Sequence, residues 1–216
     1  DEEDKKGLIR VMRDEWMNQV YSAEEEALIN RVCHMLEGSL KEESWIRVQS
    51  IDPLVKMESN HDHKNGTAIG RANAVVDASI AECAAWEFAK MTRERYKAHY
   101  VGGGTDRDVI KLTEHSDLFR IVMDLKIPSI DTREFLTRSC WRMVDENTLV
   151  CAYENAEDDR FPKKKHVRAS TDSFFRYEKL PEVEGIPQTK VTCCIQVDLK
   201  GFIPKTIMKS KIVWTM

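Results

Sequence analysis

No apolar run in this chain approaches the ~20 residues that carry a helix across a bilayer, so no such span is expected. There is no basic excess either: 33 Lys and Arg stand against 37 Asp and Glu, a net charge of −4. Nucleic-acid binders usually carry that excess, so no nucleic-acid partner is expected. No secretory signal opens the chain, which begins Asp1-Glu2-Glu3-Asp4-Lys5-Lys6. An initiator Met is missing too, and the expectation is a fragment or processed form of a longer protein. The six cysteines (Cys33, Cys83, Cys140, Cys151, Cys193 and Cys194) never fall in a Cys-x-x-Cys spacing, which argues against a zinc ribbon or redox motif. They are expected as small buried apolar residues in a reducing compartment, with Cys193 and Cys194 on opposite faces of one strand. Gly102-Gly103-Gly104-Thr105 lacks the Gly-Lys-Ser/Thr ending of a phosphate loop. No Gly-x-Ser-x-Gly elbow marks a hydrolase. His61-Asp62-His63 has no evident third metal ligand and reads as a turn. No metal or cofactor is expected.

What is present is a well-patterned chain, 42% hydrophobic and 32% charged, without internal repeats or a low-complexity linker. The first forty residues read as helix. Ile9, Met12, Trp16 and Val20 share one helical face. Ser22 with Glu25 forms a capping box, opening a helix with an apolar face of Leu28, Val32, Met35 and Leu36 and a stop at Gly38. Short strands are expected at 45–50 and 54–59, then a hairpin loop over 60–66 ending in Asn65-Gly66. The returning strand, 67–76, has a face of Ala68, Gly70, Ala72 and Ala74, small enough for a helix or ligand to approach closely. Ser79 with Glu82 is a second capping box, for a helix over 80–88. A short helix over 92–99 and a loop at 102–105 follow. The rest reads as strands: 109–115, 118–126, 134–144, 148–154, 166–180 and 190–199. Short connections imply antiparallel pairing, so the fold class is α+β.

Near the end, the strand rich in β-branched residues, Val191 to Asp198, runs into Gly201. Pro204 then suits the first turn of a last helix, because its missing N–H would be unbonded there anyway. A sheet made first and a helix laid down last suggest a grip that can enclose a cavity.

Three segments carry a family resemblance: 126–135, with Pro128 and Arg133-Glu134-Phe135; His166-Val167-Arg168-Ala169; and 198–205, with Gly201 and Pro204. With the element order, they resemble the START family, the lipid-transfer domains related to the steroidogenic acute regulatory protein. The resemblance covers the chain from about Ser22, leaving 1–21 as an N-terminal helical extension and 22–216 as the START-like domain. It implies the helix-grip fold, a curved antiparallel sheet of about nine strands around a long C-terminal helix. It also implies an apolar tunnel for one lipid, gated by that helix and the loop near 127–132. Glu134 stands where the family usually has Asp. In sterol carriers an Arg on this strand pairs with an acid on the preceding one. Here Ser139 occupies that place, with Arg138 beside it on the opposite face and Asp124 as the candidate acid.

Lipid-binding candidates are therefore Ile127 and Ile130 of the loop, Asp124, Arg138 and Cys140 of the strands, and Ile203, Ile207, Met208 and Trp214 of the last helix. Lys205 and Lys209 could meet anionic headgroups. Arg138, Cys140 and Arg142 share one strand face, either a solvent face or a headgroup contact. The basic run Lys163-Lys164-Lys165 reads as a solvated loop or a membrane contact. The expected function is non-enzymatic binding and transfer of one lipid, of sterol or phospholipid class, by a cytoplasmic monomer that touches membranes transiently. One alternative is a lipid-sensing regulatory module of a larger protein. Another is a helix-grip enzyme acting on an apolar small molecule.

Overall fold

Two capping boxes set the helices that flank the sheet. Ser22 Oγ accepts from the Glu25 amide at 3.2 Å and Glu25 accepts from the Ser22 amide at 2.8 Å, which satisfies two otherwise orphaned donors. Ser79 and Glu82 do the same one element later. The structure, a computed structural model, describes residues 2–40, 45–50, 52–60, 68–128, 130–162 and 166–201. Helix α1 (Glu2–Arg10) continues through a π-helical turn (Val11–Glu15) and a 3-10 turn (Trp16–Asn18), and α2 (Ala23–Leu40) follows. Then come β1 (Ile46–Val48), β2 (Lys56–Asn60), β3 (Ala68–Val76), α3 (Ile80–Phe88) and α4 (Arg93–Val101). The remaining strands are β4 (Gly104–Lys111), β5 (Ser116–Met123), β6 (Arg133–Asp145), β7 (Thr148–Asn155), β8 (Val167–Arg168), β9 (Ser170–Val183) and β10 (Ile186–Asp198).

The strands form one sheet in the order β1-β2-β3-β10-β9-β7-β6-β5-β4, antiparallel along that path. The long crossover from β3 to β4 carries α3 and α4. Expectation and structure differ in several places. The strand expected over 166–180 is broken at Ala169, so that β8 pairs in parallel with β6 and β9 runs separately, giving ten strands among the described residues. The loop expected at 102–105 ends early: β4 starts at Gly104. Gly103, at φ +92, makes the turn there, and a Cβ on it would lie 2.7 Å from the Asp124 carbonyl oxygen, so only glycine fits. Helix α2 also runs past Gly38 to Leu40, and Val20 stands exposed in the link before it.

Alternation divides the sheet into two faces. One is covered by α2: Leu28, Ile29 and Val32 pack on Ile69, Cys140, Val150, Ala152, Phe174 and Cys194. The other is covered by α3 and the turn after α1: Ala81, Ala84, Ala85, Phe88 and Met12 pack on Trp141, Met143, Leu149, Cys151, Tyr153 and Tyr177. Cys193 packs with Met57 and Ala72, away from Cys194, so the adjacent cysteines do serve opposite faces, and all six thiols are free. The segments where a last helix and a hairpin loop are expected, residues 202–216 and 61–67, lie outside the described residues.

Candidate functional site

The three segments singled out in the sequence meet at one node. Val167 and Arg168 pair with Arg133 and Glu134 in parallel, and the Ala169 amide donates to the Glu134 carbonyl at 2.9 Å. Glu134 is buried and held from two sides, by Arg120 Nε at 2.5 Å and by Arg168 at 2.7 Å. Burial raises its carboxyl pKa, but the hydrogen bonds from the two guanidiniums outweigh this and hold it below its ordinary value. Arg133, also buried, reaches the third segment: its Nε donates to the Leu199 carbonyl at 2.7 Å and an Nη to the Lys200 carbonyl at 3.3 Å. A further Nη donates to the Asp131 carbonyl. The clasp closes on a sharp turn, since Lys200 and Gly201 both take left-handed backbone, at φ 54 and φ 69. The loop before β6 and the end of β10 are thus fastened to each other at the junction leading to residue 202 onward.

The α3 side of the sheet holds two pockets. The larger, about 670 Å³, is lined by Ala72 and Ala74 of β3, Val191 and Cys193 of β10, Phe175 and Tyr177 of β9, and Cys83 and Trp86 of α3, with Ile9 and Lys5 from α1 at its edge. The small-residue face of β3 is what leaves this room. The smaller, about 290 Å³, is lined by Phe119, Ile121 and Met123 of β5, Phe135, Thr171, Ile195 and Val197, and is covered by Arg95, Ala98 and His99 of α4. Val191, Cys193, Ile195 and Val197 are alternate residues of one strand, so both pockets lie along the same face of β10. From the first to the last of them is roughly 20 Å at the usual rise of a strand.

Beside Phe119 of the smaller pocket sits a buried ion pair that the sequence did not reveal. The turn after α3 sends Lys90 onto the sheet, where its side chain is 0% exposed. Its Nζ donates to Asp117 Oδ1 at 2.8 Å, to Asp117 Oδ2 at 2.7 Å and to Ser139 Oγ at 2.7 Å. Ser139 in turn donates to Asp117. All three ammonium hydrogens are used, and the rings of Phe88, Tyr153 and Phe119 stand 4.4, 5.0 and 5.2 Å from the charge. Asp117 and Ser139 are register partners on β5 and β6. The buried acid facing Ser139 is therefore Asp117 rather than Asp124.

The sequence candidates separate accordingly. Asp124 lies after β5 and accepts from the amide and Nζ of Lys126, a local turn contact. Arg138 and Cys140 do not face the pockets. Cys140 is buried under α2, and Arg138 donates to Glu24 of α2 at 3.0 Å. Their shared strand face is the α2 face. Ile127 and Ile130 are half-buried in the loop before β6, joined by a turn in which the Ile130 amide donates to the Ile127 carbonyl. Ile203, Ile207, Met208 and Trp214, with Lys205, Lys209, Lys163–Lys165 and His61–His63, lie outside the described residues. Among the described residues no group of three or more metal-ligating side chains occurs, and no helix is long and apolar enough to cross a membrane.

No family model matches the sequence, and no curated protein matches it. Solved structures do match the fold. Human StAR-related lipid transfer protein 5 superposes with a TM-score of 0.68 over 90% of this chain and 93% of that one, at 14% identity. Human STARD10 gives 0.63 over 89% of this chain and 74% of that one, at 18% identity. A StAR-related lipid transfer protein from Xanthomonas axonopodis gives 0.61 over 80% and 92%, at 14% identity. At these identities the likeness is one of architecture: this chain has the fold of the StAR-related lipid transfer, or START, domains.

Proposed function

We propose that the chain is a non-enzymatic carrier that holds one lipid on the α3 side of its sheet and exchanges it at membranes. The observation that carries this reading is the pair of apolar pockets along β10, about 670 and 290 Å³. The larger is within the usual size of a small-molecule site, ~300–1,000 Å³. A lipid acyl chain spans half a bilayer core, ~15 Å, and the line from Val191 to Val197, roughly 20 Å, is long enough to hold it. The energetic case is simple. Exposing about ten CH₂ groups to water costs ~8 kcal/mol, close to a millionfold penalty on free transfer. An apolar pocket removes most of that cost, and no covalent step is required.

The loop 127–132 and the segment after Gly201 form the gate in this reading. Arg133 supports it, since it ties the base of one to the base of the other. Ile127 and Ile130 are then the loop's contacts with the lipid or the membrane. The names of two of the matched structures, StAR-related lipid transfer proteins, agree with the reading. The carrier acts as a monomer in the cytoplasm, with transient membrane contact.

The test is transfer of a fluorescent phospholipid or sterol from donor to acceptor vesicles. The carrier reading expects faster transfer in proportion to protein concentration. Binding without faster transfer would replace it with a lipid-sensing module, and absence of binding would sink both.

A further inference from the structure

Arg107 of β4 is a second buried cation on the α3 face, 7% exposed. It lines the smaller pocket. One Nη donates to the Arg95 carbonyl at 2.9 Å and the other to the Lys90 carbonyl, which ties β4 to the turns around α4. Its Nε–H is buried and has no acceptor. Among the described residues no carboxylate forms an ion pair with it; its hydrogen-bond acceptors are neutral carbonyls, and its guanidinium lies over the rings of Tyr96 and Phe119 at 4.7 and 5.2 Å. On the same pocket, Thr171 Oγ1 of β9 is also buried without a partner. The polar lining is otherwise Arg95 and His99, and it includes no Asp or Glu. Arg95 is already paired with Glu87 at 3.2 Å. Burial and the neighbouring Arg95 lower the Arg107 pKa, as expected of a charge held without a counterion. Buried polar groups are nearly always hydrogen-bonded, so two unused ones on a single apolar pocket need a reason.

We propose that Arg107 Nε and Thr171 Oγ1 receive an anionic group, a carboxylate or phosphate, at the polar end of a lipid whose chain follows β10. This rests on the lipid-carrier reading above and adds the ligand's charge to it. A guanidinium recognises both anions through charge-assisted hydrogen bonds, and the hydroxyl adds a second donor. Bound there, the anion supplies the counterion that the protein does not.

The experiment is titration of the delipidated chain with hexadecanoate, hexadecyl phosphate, hexadecanol and inorganic phosphate, followed by isothermal calorimetry. The expected result is that both anionic amphiphiles bind at least ~10-fold more tightly than hexadecanol. Arg107→Met should bring the three to similar affinity. Thr171→Val, which leaves the guanidinium in place, should weaken the anionic pair ~3- to 10-fold and spare hexadecanol. The second variant decides the matter if the first does not fold. Equal binding of acid and alcohol by the unaltered chain would overturn the proposal and leave the carrier reading standing. So would a preference that survives both substitutions. Inorganic phosphate binding as tightly as hexadecyl phosphate would overturn it in favour of a free anion. Failure of every amphiphile to bind would refute the carrier reading, and this proposal with it.

Discussion

Lys90 and Arg107 are both buried cations on one face of one sheet, and Arg107 even donates to the Lys90 carbonyl. Both also lie over the ring of Phe119, but their polar partners differ. Lys90 has a carboxylate, a hydroxyl and three aromatic faces, and every ammonium hydrogen is used. Arg107 has two backbone carbonyls, the rings of Tyr96 and Phe119, an idle Nε–H and no paired carboxylate among the described residues. A complete partner set makes a charge structural. An incomplete one beside a pocket makes it available to something that binds there.

The comparison breaks most visibly at Asp117. Asp117→Ala strands the Lys90 charge in the core and should cost ~3–5 kcal/mol in urea denaturation. Adding Lys90→Met should recover most of it, because a paired loss leaves no unpaired ion. A single-variant cost below ~1 kcal/mol would show that the pair is not sealed from water.

Glu134→Gln comes next, at ~2–3 kcal/mol, since two guanidiniums lose their shared anion. It also carries a pH signature. The folded carboxyl sits below its ordinary value, so its contribution is fully present above the unfolded pKa, ~4.3. That contribution is lost as pH falls through the lower folded value. Denaturation midpoints measured from pH 6 down to pH 3 should therefore fall less steeply in Glu134→Gln than in the unaltered chain.

Arg107→Met should cost ~2 kcal/mol or less. That is well below Asp117→Ala although both alter buried charge, because no carboxylate is stranded. Arg138→Met should be the mildest, under ~1 kcal/mol, since its partner Glu24 is exposed. It should leave lipid loading unchanged, and altered loading would mean that the α2 face takes part in binding.

Local rules carried much of the fold. Ser22 with Glu25 and Ser79 with Glu82 announced two helices because a capping box lies within four residues. The face holding Gly70, Ala72 and Ala74 pointed to room above β3 because strand alternation needs no long-range information. The segments around Arg133, Arg168 and Gly201 carried the family resemblance, but that they meet shows only in their pairing. The buried pair was not legible, because Lys90 is 27 residues from Asp117 and 49 from Ser139. Only the register of β5 on β6 selects Asp117 over Asp124. Arg138 and Cys140 were placed together on one face correctly, but parity alone does not say which face a helix will cover. Arg107, flanked by Asp106 and Asp108, looks in sequence like part of a solvated strand. The break at Ala169 was hidden in a continuous β pattern, since nothing local marks a strand that changes partners.

The central claim, one lipid held along β10, is tested most directly by native mass spectrometry of the purified chain beside an Ala72→Trp variant. The indole would fill the larger pocket, and circular dichroism would confirm that the variant folds. The account predicts one co-purifying lipid per chain in the unaltered protein and its loss in the folded variant. Absence of bound lipid after incubation with vesicles, or equal loading of both proteins, would contradict it.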